Sequence, residues 1–399
     1  MEGEERQGVG SSGYDRKRGG GEELGQNARM PDAFVYPRDE QGFGLGVVVE
    51  CDFDVLPGKA DHKIEGTGQY GEADGDPHPV GRAEKLQREK FDCGIANEFF
   101  PLVLFIGIGA MIDFGPVLTN PKLMLFGAAA QFGIFFTLCM ATLCGFGPME
   151  SASIAIIGAA DGPTSIVVAN HLGISANNPG LFSAIVVAAY SYMALVPIIQ
   201  RPVIKLITTK HERLIRMEYE QRDVSKLTRI LFPIVITFVV GIVAPGGLPL
   251  IACLMFGNLL RECGVLNALS ETAQKVLANL ITLFLGLSIA ATMSADKFLR
   301  PQTLLVLGLG LVAFVFDTVG GVFFAKFINL FAKKKINPMI GAAGISAFPM
   351  SARVVHKLGQ EEDNQNFLLM HAVGANVSGQ IASVIAGGLI LSIFGSMLG

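Results

Sequence analysis

The chain has 399 residues, of which 50% are hydrophobic and only 17% are charged, whereas ordinary soluble domains carry about 25% charged residues. The net charge of -4 comes without a long basic block, which argues against nucleic acid as a partner. The composition is that of a membrane protein. The charges are unevenly spread, because the first 90 residues hold 31 of the Lys, Arg, Asp and Glu residues.

The N-terminal stretch, residues 1–92, is rich in glycine and charge and has no hydrophobic periodicity, as in GEERQGVGSSGYDRKRGGGEELGQ. Such a composition predicts a disordered extension, and an artefact of the gene's reading frame is the alternative. The stretch shows no pattern of basic start, apolar core and small-residue cleavage site. We therefore expect the membrane domain to comprise residues 93–399.

Apolar runs begin at Phe99, and a helix that crosses a bilayer needs about 20 apolar residues. The runs predict spans near 99–118, 121–146, 151–170, 180–199, 229–244, 248–260, 276–294, 302–330 and 366–397. The run at residues 337–349 (NPMIGAAGISAFP) is short and has a proline near each end. This pattern favours a re-entrant segment over a full crossing.

Basic residues predict the orientation of the spans. The connection 201–229 carries eight Lys and Arg residues, and a second basic cluster, Lys333 to Lys335, follows the 302–330 span. Both connections are expected on the cytoplasmic side, because loops on that side carry an excess of positive charge.

Three carboxylates lie inside apolar runs: Asp113 in GIGAMIDFGP, Asp161 in IIGAADGPTS and Asp317 in FVFDTVGG. A charged group at bilayer depth costs at least about 2.5 kcal/mol, so each calls for a functional or structural reason. Asp113 lies near the end of its span and is compatible with a simple helix end at the interface. Asp113 and Asp317 are therefore secondary candidates for an ion site.

Asp161 is the first candidate because a glycine and a proline come directly after it. Gly162 loosens the chain and Pro163 removes a backbone donor, so the helix is expected to break there. The break would expose carbonyl groups beside the hydroxyls of Thr164 and Ser165. A carboxylate, carbonyls and hydroxyls form a hard-oxygen site suited to Na+ or a proton. A proline-kinked helix with a satisfied Asp is the structural alternative.

A weak internal repeat points to the same place. The sequence IGAAD at 157–161 recurs as IGAAG at 340–344, and paired broken segments are typical of transporters built from repeats. The match is short, so chance is an alternative. Further polar groups occur in the second half, where small residues could equally serve helix packing. These groups are Asn337, Ser346, Asn376 and Ser378.

An arginine and a pair of tyrosines are further candidate functional residues. Arg353, in SARVVHK, could grip an acidic ligand bidentately or could anchor the chain at the cytoplasmic surface. Tyr190 and Tyr192 lie mid-span in VVAAYSYMALVP. Buried phenols need hydrogen-bond partners, so a relay for ions or protons and a structural hydrogen bond are both compatible with the pattern.

Seven ordered blocks then reveal a resemblance: GIGAMIDFGP, NPKLMLFGAAAQFGIF, IIGAADGPTS, VAAYSYMALVPIIQ, LMFGNLLRECGV, INPMIGAAGISAFPMSARV and NFLLMHAVGANVSG. From about Gly94 to the C-terminus the chain closely resembles the beta subunit of sodium-pumping, biotin-dependent decarboxylases, such as those for oxaloacetate, methylmalonyl-CoA, glutaconyl-CoA and malonate. The family's relatives usually have apolar spans before the first block, where this chain has residues 1–92.

The resemblance implies a translocase subunit of the cytoplasmic membrane that decarboxylates carboxybiotin and exports Na+. It implies an all-α, polytopic, inverted-repeat bundle with discontinuous helices. The expected partners are a carboxyltransferase alpha subunit, a biotin carrier protein that supplies the carboxybiotin, a small membrane gamma or delta subunit, the lipid bilayer and further copies of the chain. A Na+/H+ antiporter or Na+-coupled carboxylate transporter is the rival function, because fold alone does not decide activity.

The resemblance also assigns roles to residues. It implies Asp161, Tyr192 and Arg353 as catalytic residues, with Arg353 and Ser346 binding the carboxybiotin. The implied Na+ ligands are Asp161, Asn337, Gly341, Ser346 and Asn376.

Overall fold

The computed structural model describes residues 94–95, 97–218, 223–292 and 300–397, so the predicted extension at residues 1–92 lies outside the described residues. Across the described ranges the chain forms helices and no strand. Six helices there are long and apolar enough to cross a membrane. The chain is an all-α, multi-pass membrane protein, as predicted.

Short and long helices alternate along the chain. They are α1 (Phe99–Met111), α2 (Gly115–Thr119), α3 (Met124–Ala130), α4 (Phe132–Leu143), α5 (Pro148–Ala155), α6 (Gly162–His171), α7 (Ile174–Asn177), α8 (Pro179–Ile207), α9 (Lys210–Arg213), α10 (Lys226–Val243), α11 (Leu248–Glu262), α12 (Asn267–Thr272), α13 (Ala278–Thr292), α14 (Pro301–Phe331), α15 (Met339–Ala342), α16 (Met350–Glu362) and α17 (Leu369–Gly395).

Most of the predicted spans are present. The six candidate spans are Pro121–Leu143, Pro179–Ile207, Lys226–Val243, Asn267–Ala290, Pro301–Phe331 and Leu369–Gly395. The predicted span at 248–260 is also a continuous helix, α11, of 15 residues. The predicted span at 99–118 is instead interrupted at residues 112–114, between α1 and α2.

The prediction of a crossing at 151–170 is wrong. Helices α5 and α6 are separated at Ala160 and Asp161, and both ends of this segment lie at the same end of α8. The Asn178 side chain, which caps the N-terminus of α8, donates a hydrogen bond to Glu150 at the start of the segment, over 3.3 Å. Hydropathy reports only that the segment is apolar, and the break lets the chain turn back. The segment 148–171 is therefore re-entrant.

The predicted re-entrant segment at 337–349 is present as part of a longer one, residues 337–362, and this second re-entrant segment enters from the opposite side. Asn337, before α15, donates to the main-chain oxygen of Arg213 over 2.9 Å. Glu362, at the end of α16, pairs with the same Arg213 over 2.8 Å. Arg213 follows the C-terminus of α8, whereas the first segment begins and ends near its N-terminus. The two re-entrant segments thus have inverted orientations.

Each half has the same order of a span, a re-entrant segment and another span. Helix α14 packs against α4, α8 and α15, and α17 packs against α3, α6 and α16. A separate group forms where α1 packs against α11 and α13, and α10 packs against α11. The re-entrant tips are thereby enclosed by the spans of both halves.

Ion pairs hold the second re-entrant segment to the loop after α8. Arg213 and Glu362 are largely buried, with 13% and 14% of their side chains exposed. Arg216 lies 2.6 Å from Asp363 and its hydrogen bond holds the pKa of that carboxyl below the usual value. The positive charges predicted to face the cytoplasm therefore anchor the ends of the second segment.

The replacement Glu362→Gln is expected to lower the free energy of unfolding by about 1–2 kcal/mol, because the largely buried Arg213 loses a charged hydrogen-bond partner. The matched control is Glu271→Gln. Glu271 pairs with Lys275 at 4.0 Å with both side chains more than 70% exposed, and such pairs contribute about 0–1 kcal/mol. Thermal unfolding in detergent compares the two, and equal melting temperatures would contradict the structural role of the Arg213 pair.

Candidate functional site: a carboxylate between two helix breaks

The first helix break isolates a buried carboxylate. Ala160 adopts a left-handed conformation with φ of 52°, and Asp161 is extended before α6 begins at Gly162. Asp161 is only 4% exposed. Its Oδ2 accepts a hydrogen bond from Thr164 over 2.6 Å, and its main-chain oxygen accepts one from Ser165 over 2.9 Å. The predicted break and its hydroxyl groups are thus present.

The second break meets the first. The Ser346 hydroxyl donates to the carbonyl of Ala159, two residues before Asp161. The Gln380 side chain of α17 donates to the Ser346 carbonyl, and Asn376, one turn earlier, donates to the carbonyl of Ile345 over 2.6 Å. Hydrogen bonds therefore join the tips of the two re-entrant segments to each other, and they join the second tip to α17.

Free acceptors accumulate at this junction. The side-chain oxygens of Asn376 and Gln380 are buried and have no hydrogen-bond partner in the part of the chain that the structure describes. Ser383, one turn further along α17, donates to the Gln380 carbonyl over 3.0 Å and lies near the Asp161 carboxylate. A buried acceptor left unpaired costs about 1–3 kcal/mol. One carboxylate, two amide oxygens and nearby hydroxyls match the oxygen ligands that hard cations prefer.

Two predicted ligands make their contacts elsewhere. Asn337 donates to the main-chain oxygens of Arg213 and Ile215, both over 2.9 Å, and its own oxygen accepts from the Met339 amide. The hydrogen bonds of the Asn337 side-chain nitrogen therefore go to the segment after α8. Gly341 faces α14, where a Cβ atom would lie 1.9 Å from the carbonyl oxygen of Gly321. Neither set of contacts leads to Asp161.

The other predicted catalytic residues, Tyr192 and Arg353, make no hydrogen bond to Asp161 in the described structure. Tyr192 donates to the carbonyl of Leu307 on α14. Arg353 is exposed in the first turn of α16, directly after the second break. Within the described residues no carboxylate pairs with Arg353, so its guanidinium is available to an anionic ligand. Ser378, which the sequence also suggested, donates to the carbonyls of Leu123 and Ala375 and serves helix packing.

The two secondary carboxylates, Asp113 and Asp317, have different surroundings. Asp113 accepts a hydrogen bond from the Gly115 amide over 2.8 Å and lies 3.9 Å from Arg229, with 42% of its side chain exposed. Asp317 is 1% exposed and lies beside the amides of Gly133 and Ile134 in the first turn of α4, but neither of its carboxylate oxygens makes a hydrogen bond among the described residues. A helix N-terminus favours such a negative group, which gives Asp317 a structural reason within its apolar run. A second ion site at either residue stays a prediction.

The sequence analysis did not identify Gln380 or Ser383 as site residues, and it did not place Tyr190 beside Asp161. A signal for the first two exists, since Asn376, Gln380 and Ser383 recur at intervals of four and three residues. This spacing places them on one face of a helix. In an apolar helix such a polar face predicts an interior site.

The replacement Gln380→Met is expected to raise the Na+ concentration for half-maximal activity about tenfold, because one neutral oxygen ligand is lost at similar side-chain volume. The matched control is Gln274→Met, because among the described residues the Gln274 amide donates only to the Ser270 hydroxyl of α12, over 2.9 Å. Na+ titration of decarboxylase activity compares the two. An unchanged half-saturating concentration in the Gln380 variant would remove Gln380 from the site.

Comparisons with known proteins identify the family. The sequence profile of the family described as "Na+-transporting oxaloacetate decarboxylase beta subunit" matches residues 77–394. The chain belongs to this family. It is therefore a membrane subunit of a decarboxylase sodium pump, and the predicted resemblance is confirmed.

Relatives of the family support the same assignment. The chain is 53% identical to the oxaloacetate decarboxylase beta chain of Haemophilus ducreyi over 304 residues, which are 75% of this chain and 68% of that one. It is 52% identical over 297 residues to the methylmalonyl-CoA decarboxylase subunit beta of Propionigenium modestum, with 74% of each chain covered. The corresponding subunit of Veillonella parvula is 50% identical over 299 residues, covering 75% and 79%.

Proposed function

We propose that this subunit decarboxylates carboxybiotin carried by a partner protein and uses the reaction to export Na+ through the site around Asp161. The observation that carries the proposal is the position of Asp161. It lies buried at a helix break, beside the tip of the second re-entrant segment and the unpartnered oxygens of Asn376 and Gln380.

The chemistry requires a group that exchanges a proton for a cation. Decarboxylation of carboxybiotin breaks a nitrogen–carbon bond, releases CO2 and places a proton on the nitrogen, so each turnover consumes one proton. Asp161 holds Na+ only when ionised, and its protonation removes the charge that binds the ion. The same residue can therefore link proton delivery to Na+ release.

Arg353 is proposed to hold the carboxylate of the substrate. It lies a few residues after Ser346, and its guanidinium is exposed on α16. A planar guanidinium binds a carboxylate bidentately. Tyr192, whose hydroxyl is bound to Leu307, is proposed to support the site through its contact with α14. Asn337 and Gly341 are proposed to shape the second segment, since their contacts do not reach Asp161.

The implied assembly contains a carboxyltransferase alpha subunit, a biotin carrier protein and a small gamma or delta subunit, with further copies of this chain. The relatives are named for two different acids at closely similar identity. We therefore propose that the acid is selected by the carboxyltransferase and that this subunit acts only on the shared biotin-bound carboxyl group.

Reconstitution of the complex in proteoliposomes tests the proposed function. Na+ uptake is expected only while the biotin carrier is being carboxylated, and removal of the carrier should stop uptake. A secondary transporter would instead exchange Na+ down an ion gradient without carboxybiotin. That second result would overturn the proposal.

A further inference from the structure

Tyr190 of α8 lies directly on the first helix break. A Cβ atom added to Gly162, the residue after Asp161, would lie 2.3 Å from Cζ of Tyr190 and 2.4 Å from its Cε2. Only glycine allows an aromatic ring to approach the backbone so closely, because every other residue carries a Cβ atom. The ring atom that bears the hydroxyl therefore lies against the backbone next to the buried carboxylate.

The surroundings of the Tyr190 hydroxyl are the second observation about this residue. The hydroxyl is buried and makes no hydrogen bond in the part of the chain that the structure describes. The Tyr190 ring lies against Gly162, so the hydroxyl is close to the Asp161 carboxylate. A buried tyrosine hydroxyl usually finds a hydrogen-bond partner, so this one faces a place where a ligand is expected.

Tyr192 offers the contrast on the same helix. Its hydroxyl donates to the carbonyl of Leu307, and its ring packs against Gly310 of α14. The two tyrosines therefore point to different neighbours, and Tyr190 is the one that lies beside Asp161. Thr164 from α6 and Ser383 from α17 also lie near that carboxylate. Tyr190 adds a group from a third helix.

We propose that the Tyr190 hydroxyl is a ligand group of the Na+ site, and the inference rests on the proposed function of Asp161. With Na+ present, the phenol oxygen contributes a neutral ligand beside the carboxylate. The hydroxyl oxygen carries two acceptor lone pairs, so it can bind the cation and still keep its proton.

The variant Tyr190→Phe keeps the ring and removes only the hydroxyl. In the full complex, reconstituted in proteoliposomes, it is expected to raise the half-saturating Na+ concentration about tenfold, while the maximal decarboxylation rate at saturating Na+ stays within about twofold. The readouts are Na+ titration of decarboxylation and uptake of radioactive Na+. A purely structural role would lower the maximal rate or the amount of complex without changing the Na+ dependence.

The matched control is Ser392→Ala on α17. Among the described residues the Ser392 hydroxyl donates only to the Gly388 carbonyl of its own helix, over 2.8 Å. The Na+ dependence of this variant should equal that of the wild type. The variant Gly162→Ala gives a second measurement, because it keeps the Tyr190 hydroxyl but pushes the ring away from the break. Gly162→Ala is expected to weaken Na+ binding as well. It tests the role of Tyr190 if the Tyr190→Phe complex fails to assemble.

The outcomes separate this inference from the proposed function. An unchanged half-saturating Na+ concentration in Tyr190→Phe, in a complex whose wild type pumps Na+, would overturn the role of Tyr190 and leave the proposed function intact. If the variant does not assemble, unchanged Na+ dependence in Gly162→Ala would overturn it equally. A wild-type complex that decarboxylates without moving Na+ would instead refute the proposed function itself.

Discussion

Replacement of Asp161 by Asn is expected to reduce Na+ transport to background and to abolish Na+-dependent decarboxylation. The Asp161 carboxylate lies buried beside Thr164 at the junction of the two re-entrant tips. Loss of a charged ligand costs about 3 kcal/mol, which corresponds to roughly a hundredfold loss of affinity. Asn also cannot take up and release a proton, so the exchange step fails.

The measurement is Na+ uptake together with CO2 release by the reconstituted complex. Carboxyl transfer to biotin by the partner subunit should be unaffected, which shows that the complex is assembled. The control Asp363→Asn removes a carboxylate that pairs with Arg216 outside the junction, and it should pump Na+ normally. Retained Na+ uptake in Asp161→Asn would refute the assignment of the ion site.

The amino-acid sequence predicts the fold class, which is confirmed, and it predicts the helix break at Asp161, which the structure contains. Asp161 was found because Gly and Pro follow an acidic residue in an apolar run, and this local pattern forces a break whatever the tertiary structure. Ser346 was found because the second short run is also broken. In both places the physical cause is local, so a single sequence can reveal it.

The partners of Asp161 could not be obtained in the same way. Hydropathy gives the depth of a residue but not the helix that it faces, and it treated residues 151–170 as a crossing. Asn337 and Ser346 occupy the same short segment, yet one side chain holds the loop after α8 and the other contacts Ala159. Gln380 lies in a glycine-rich helix, and small residues at four-residue spacing in that helix are equally compatible with helix packing. Only the tertiary contacts distinguish these roles.

The second large effect is expected for Gly341→Ala. A Cβ atom at Gly341 would lie 1.9 Å from the oxygen and 2.4 Å from the carbon of the Gly321 carbonyl. Because both neighbours are backbone, no side chain can move aside, and α14 and α15 must separate. We expect the free energy of unfolding to fall by about 2–4 kcal/mol, seen as a lower melting temperature and a smaller yield of assembled complex.

A matched glycine in the same long helix provides the control. Gly308 of α14 has no neighbouring atom within 4 Å of an added Cβ atom, and Ala is favoured over Gly in a helix by about 1 kcal/mol. Gly308→Ala should therefore be neutral or slightly stabilising. The reciprocal variant, Gly321→Ala, should behave like Gly341→Ala because its Cβ atom would lie 2.1 Å from the Gly341 oxygen.

This experiment also separates two roles for Gly341. If its carbonyl were a Na+ ligand and its lack of a side chain immaterial, Gly341→Ala would keep its stability and change only the Na+ dependence of activity. If Gly341 serves the close approach of α14 and α15, stability falls and the Na+ dependence of the surviving complex is unchanged. The geometry supports the second outcome, because the space that the missing side chain would fill is occupied by the backbone of Gly321.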